Sequence, residues 1–114
     1  MANTERLNAL QMVSTARKAI GDARGQEGLT DSQQKLLDDT YSELEELEDT
    51  LVHEDIQDSI KTLQKSEDDL TSLVGRMKRS TDTIRDLSKN VDIAAKAVGA
   101  LADIVAKAVS AGLL

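Results

Sequence analysis

The stretch VDIAAKAVGALADIVAKAVSAGLL, residues 91–114, decides how this chain must fold. It contains four charges, Asp92, Lys96, Asp103 and Lys107, and no aromatic residue. On a helix of 3.6 residues per turn these four fall within an arc of about 60°. Asp92–Lys96 and Asp103–Lys107 are acid-before-base pairs at i, i+4, the order that supports a helix. The rest of the circumference is Ala, Val, Ile, Leu and Gly. A helix this apolar over most of its girth has to be covered by something.

Two kinds of cover fit the pattern. The first is protein. The stretch becomes a central helix of a bundle, with its charged strip facing water and Ala94, Ala95, Ala97, Ala100, Ala102, Ala106 and Ala108 letting neighbours pack closely. Those neighbours come from the same chain or from other copies. The second is lipid. Small residues recur four apart at Ala95/Gly99, Ala102/Ala106 and Ala108/Gly112, a spacing that permits close helix contact in bilayers. The stretch is about the length needed to span one. It resembles the small-residue, amphipathic insertion helices of α-helical pore-forming proteins, a resemblance of pattern confined to the last quarter of the chain. That resemblance implies conditional insertion of residues 91–114, with the charged strip lining water. A constitutive single span fits less well, because four charges near a bilayer centre are expensive.

The remaining composition specifies helices. The 114 residues lack Pro, Cys, Trp and Phe, and Tyr41 is the only aromatic. A sheet protein of this length shows β-branched and aromatic alternation broken by Gly/Pro turns; here Ala, Leu, Asp, Glu, Lys, Ser and Thr dominate. The length suits one domain, residues 1–114, with a modest core. Zero cysteine removes disulfides and thiolate metal sites. The opening MANTERLNAL has no basic segment followed by an apolar run, so a soluble, cytoplasmic protein is expected; non-classical export leaves no such mark.

Charge is unevenly distributed. Residues 27–69 hold 15 acids and 3 bases, residues 1–26 hold 4 bases and 2 acids, and residues 70–114 hold 7 bases and 4 acids, for a net −7. An acidic middle with mildly basic ends favours packing of the ends against the middle, or of one copy against another. Nucleic acid is not the expected partner, since phosphate binding needs a concentrated basic face. Arg76, Lys78, Arg79, Arg85 and Lys89 are the one candidate cluster, and helix-end or salt-bridge roles explain them as well.

Along the chain, a first helix is expected over about 4–23, capped by Asn3 and carrying Ala9, Met12, Val13, Ala16, Ala19, Ile20 and Ala23 on one stripe. Gly25 is expected to end it in the left-handed conformation, and GQEG reads as a turn. Thr30 and Gln33 have capping-box spacing and open a second helix over about 31–52. There Leu37, Tyr41, Leu44, Leu47 and Leu51 form a narrow coiled-coil-like seam. The seam shifts at Val52, Ile56 and Ile60, which places a break near residues 53–55 with Asp55 as the next cap. From Leu70 a heptad runs through Met77, Ile84, Val91, Val98 and Val105, joined by Leu101. Its unbroken register predicts one helix over about 55–111. RMKRSTD interrupts it with bases followed by a capping Ser or Thr, so a kink is placed near 79–81.

Catalytic patterns are missing. His53 stands alone, with Asp49 at i−4, where di-iron bundles need Glu-x-x-His on two helices. The acidic run 43–49 lacks calcium-loop spacing, and no nucleophile motif or phosphate loop is present. No enzyme activity, metal or cofactor is expected. The fold expected is all-α: a three- or four-helix bundle or helical hairpin with a coiled-coil-like seam and a long C-terminal helix. The function expected is non-catalytic interaction or assembly with a copy of itself or another helical protein. The seam for this is Leu37, Leu44, Leu47, Leu51, Leu70, Met77, Ile84, Val91, Val98, Leu101 and Val105, with Ala95, Gly99, Ala102 and Ala106 as close-packing positions. The alternative is a small membrane-active protein that inserts its C-terminal helix.

Overall fold

The computed structural model describes residues 2–54, 56–81 and 85–110. Four helices account for nearly all of them: α1 (Ala2–Arg24), α2 (Asp31–His53), α3 (Ile56–Thr81) and α4 (Arg85–Ser110). They pack as an all-α bundle in which α1 touches α2 and α4, α3 touches α2 and α4, and α1 grazes α3 across the diagonal. Among the described residues α2 and α4 do not meet.

Neighbours run antiparallel. Arg6, near the start of α1, donates from Nε to the Leu51 carbonyl at the end of α2 at 2.6 Å. Near the other end of the pair, Arg24 Nε bonds Asp38 Oδ1 at 2.9 Å. Between α2 and α3, Thr40 lies beside Met77 and Ser59 bonds the Thr50 carbonyl. Arg85 follows Thr81 by four residues, at most about 14 Å of chain. A 26-residue α4 is about 39 Å long, in a molecule 45 Å in its longest dimension. Packed along α3, it must therefore run back beside it.

The single helix expected over 55–111 is thus two helices. A straight helix of that length would extend about 86 Å, nearly twice the 45 Å long axis of the bundle. Heptad register did not distinguish the two cases, because a hairpin keeps the same residues apolar on each arm. The local signals at the RMKRSTD stretch described the chain better than its periodicity did: α3 stops at Thr81, with bases in its closing turns.

The helix ends follow local chemistry. Thr30 caps α2 with extended backbone (φ −73°, ψ 161°). Its hydroxyl accepts from Gln33 N–H at 3.1 Å while Gln33 Oε1 accepts from Thr30 N–H at 3.0 Å, the reciprocal bonding expected of a capping box. α1 begins at Ala2, which puts Asn3 inside the helix instead of at its cap. Gly25 is not left-handed. The end of α1 tightens, with Gly25 N–H bonded to the Asp22 carbonyl and Gln26 N–H to that of Ala23, so the last carbonyls are satisfied by i→i−3 bonds. The left-handed residue is Gly28, at φ +82°. A Cβ there would meet nothing within 4 Å. Gly28→Ala is expected to destabilise the fold through the backbone alone, by about 1–2 kcal/mol, read as a lowered urea midpoint. α2 ends at His53 as expected, and Glu54 N–H bonds the Thr50 carbonyl. Asp55, the expected cap of the next helix, lies outside the described residues; Ser59 Oγ donates to the Thr50 and Glu54 carbonyls.

The core is of two textures. α2 and α3 contribute Leu37, Leu44, Leu47, Leu51, Leu63, Leu70 and Met77, all fully buried. α1 and α4 contribute mostly smaller ones, Ala9, Val13, Ala16, Ala19, Ala23, Val91, Ala94, Ala97, Val98 and Ala108, with Ile20, Leu101 and Ile104 as the large exceptions. Small side chains let two backbones approach, and α1 with α4 is the most extensive pairing in the bundle.

Candidate interaction surface

The expected seam residues are brought together, and they face inward. Leu37, Leu44, Leu47, Leu51, Leu70, Met77, Val91, Val98 and Leu101 are buried in this chain's own core, and Val105 is half-buried at its edge. Ile84 lies outside the described residues, as does Gly112. The cover demanded by α4 comes from α1 and α3. Val91, Ala94, Ala97, Val98, Leu101, Ile104 and Ala108 turn toward them. Asp92, Lys96, Asp103 and Lys107 all lie on the opposite, exposed side.

The four small positions divide differently. Close packing within the chain uses Ala94, Ala97 and Ala108, which are buried. Ala95 and Ala102 are half-buried, and Gly99 and Ala106 are exposed. A Cβ at Gly99 would find nothing within 4 Å. Gly99→Ala is therefore expected to stabilise the isolated bundle by up to about 1 kcal/mol, the difference in helix propensity, seen as a higher urea midpoint in dilute protein. Gly21 is the contrasting case. A Cβ there would stand 3.3 Å from Tyr41 Cε2, so this glycine makes room for the only aromatic ring.

The basic end of the chain does pack against the acidic middle. Arg17 Nε donates to Glu48 Oε2 at 2.8 Å, Arg24 pairs with Asp38, and the Arg24 guanidinium stands 4.3 Å over the Tyr41 ring. Bonding to the Glu48 carboxylate, then to Tyr41, holds Arg17 even more firmly protonated than usual. The partners of Arg17 and Arg24 lie 31 and 14 residues away in the chain, beyond the reach of any local pattern.

The outer side of α2 exposes Asp31, Asp39, Glu45, Glu46 and Asp49. Two shallow grooves border it. One is lined by Arg17, Glu45, Glu48, Asp49 and His53. The other lies between α2 and α3, and there Arg76 sits among Asp39, Glu43, Glu46 and Asp69. Arg76 is thus set among carboxylates and not in a basic face; Arg79 and Lys89 are exposed, while the side chains of Lys78 and Arg85 fall outside the described set. His53 is exposed and its Nδ1 lies 3.0 Å from both the carbonyl and a carboxylate oxygen of Asp49. No cluster of three or more metal-ligating side chains occurs among the described residues, and none of their helices is long and apolar enough to cross a membrane. Comparison with protein-family models, with curated proteins and with solved structures finds no match to this chain.

Proposed function

We propose that this protein is a non-catalytic helical interaction module that assembles with copies of itself, through the outer side of α4 and not through the leucine seam. The observation that carries this reading is the division of α4. Its apolar side is taken up by α1 and α3, while its charges stand outside with Gly99 and Ala106. The seam residues named from the sequence are spent on the fold, so an assembly built on them would have to open the bundle first. Self-association is preferred to membrane insertion because most of the apolar arc of α4, Ile93 excepted, is covered within the chain.

Self-association makes the apparent mass rise with concentration. Sedimentation equilibrium of the full chain from micromolar to millimolar protein is expected to show a monomer passing into a defined oligomer. A single monomeric species throughout that range sinks the proposal.

A further inference from the structure

From Asp92 to Lys107 the charges exposed on α4 are ordered Asp92, Lys96, Asp103, Lys107, with spacings of 4, 7 and 4; Lys89, exposed one turn earlier, is set against the uncharged Ser110 in the reversal that follows. Reversed end over end about a point between Gly99 and Ala100, the order reproduces itself with every sign inverted. Asp92 then falls on the position of Lys107, and Lys96 on that of Asp103. The i, i+4 pairs within the helix account for each acid–base couple by itself. The eleven-residue step between the couples does something more: it is just over three turns, and it returns both to one side of the helix.

Beside this strip run Ala95, Gly99, Ala102 and Ala106. Their spacing of 4, 3 and 4 is that of a coiled-coil seam, but the side chains are small enough for two backbones to approach. This set is centred between Ala100 and Leu101, one residue or about 1.5 Å from the centre of the charges. Gly99 weakens the helix by about 1 kcal/mol relative to Ala, and among the described residues nothing lies within 4 Å of where its Cβ would stand.

We propose that this side of α4 is a two-fold interface, on which a second copy of the chain docks antiparallel with its own α4. The inference rests on the self-association proposed above and specifies its geometry. In an antiparallel pair related by a two-fold axis, like flanks face each other. The charged flank of one copy then meets the charged flank of the other, Asp92 opposite Lys107 and Lys96 opposite Asp103, four ion pairs in all. The small residues form the line of closest approach. In a parallel pair the charged flank would face the uncharged one, and the complementarity would be lost. The contact spans sixteen residues of one helix, Asp92 to Lys107, about 22 Å from first to last. That places it among small, transient interfaces of less than about 1,200 Å², weakened by salt.

The test uses the full chain in sedimentation equilibrium, with circular dichroism melts to establish that each variant is folded. Gly99→Leu leaves the bundle folded and raises the dimer Kd by about tenfold or more. The double variants Lys96→Asp/Lys107→Asp and Asp92→Lys/Asp103→Lys are each monomeric where the wild type dimerises, and an equimolar mixture of the two regains a dimer. Direction is read by disulfide formation between single-cysteine chains, which is clean because the sequence has no cysteine. Lys89→Cys and Ser110→Cys, both at exposed positions, are expected to cross-link to each other in a mixture. Lys89→Cys cross-linking chiefly to itself would overturn the antiparallel register. A dimer indifferent to Gly99→Leu and to both charge variants would overturn this interface while leaving self-association standing. A wild-type chain that remains monomeric overturns both.

Discussion

Leu44→Asp is expected to abolish the cooperative unfolding transition of this protein, or to leave only a small remnant of it. Leu44 is fully buried in the middle of α2, among the leucines and the methionine of α2 and α3. The substitution removes an apolar side chain, leaves a cavity, and puts a carboxylate into a cluster of buried apolar side chains. Such changes sit at the top of the range for single substitutions, above about 4 kcal/mol, in a class of domain whose total stability is about 5–15 kcal/mol. Val98→Asp, buried on α4, is expected to do the same from the opposite wall of the core. Glu45→Gln, one residue from Leu44 and exposed, serves as the control and stays within about 0.5 kcal/mol of wild type. Urea melts followed by circular dichroism measure all three. If Leu44→Asp kept the wild-type midpoint, the inward placement of the seam would be wrong.

The second large effect is a distance. Lys61 on α3 and Lys107 on α4 are both exposed, and each lies toward the end of its helix remote from residues 82–84. Spin labels on Lys61→Cys and Lys107→Cys in the same chain are expected less than about 30 Å apart, since packed helices lie 8–10 Å axis to axis. In one continuous helix the same two residues would be about 69 Å apart. Pulsed electron–electron resonance distinguishes these lengths without ambiguity, and a long distance in dilute protein would replace the bundle by a rod.

Much of the architecture could be read from the chain alone, and the parts that could not share a cause. The all-helical class, the break after His53 and the start of α2 follow from local chemistry. Thr30 and Gln33 satisfy each other's backbone bonds whatever else the chain does. The direction of α4 was legible too, because four charges confined to one arc leave little choice about which side faces water. The misreadings arose where a local pattern suits two global arrangements. Gly25 and Gly28 both fit a turn after α1, and the tightened final turn, satisfied at Gly25 and Gln26, left the positive φ to Gly28. The heptad from Leu70 to Val105 is equally regular in a rod and in a hairpin.

The candidate interface was legible in its residues and not in its availability. Leu44 and Gly99 were named on equal terms as association positions. Burial separates them: Leu44 is enclosed, while Gly99 faces open space.

Sequence by itself determined that this chain is helical and which side of each helix is apolar, because backbone propensity, capping and periodicity act over a few residues. Tertiary structure alone decided who covers whom: α1 and α3 over α4, Arg17 on Glu48, Gly21 beneath Tyr41. Cover is a relation between segments far apart in the chain. An apolar stripe states that it must be buried, but the partner is selected only when the helices compete for each other's surfaces in three dimensions.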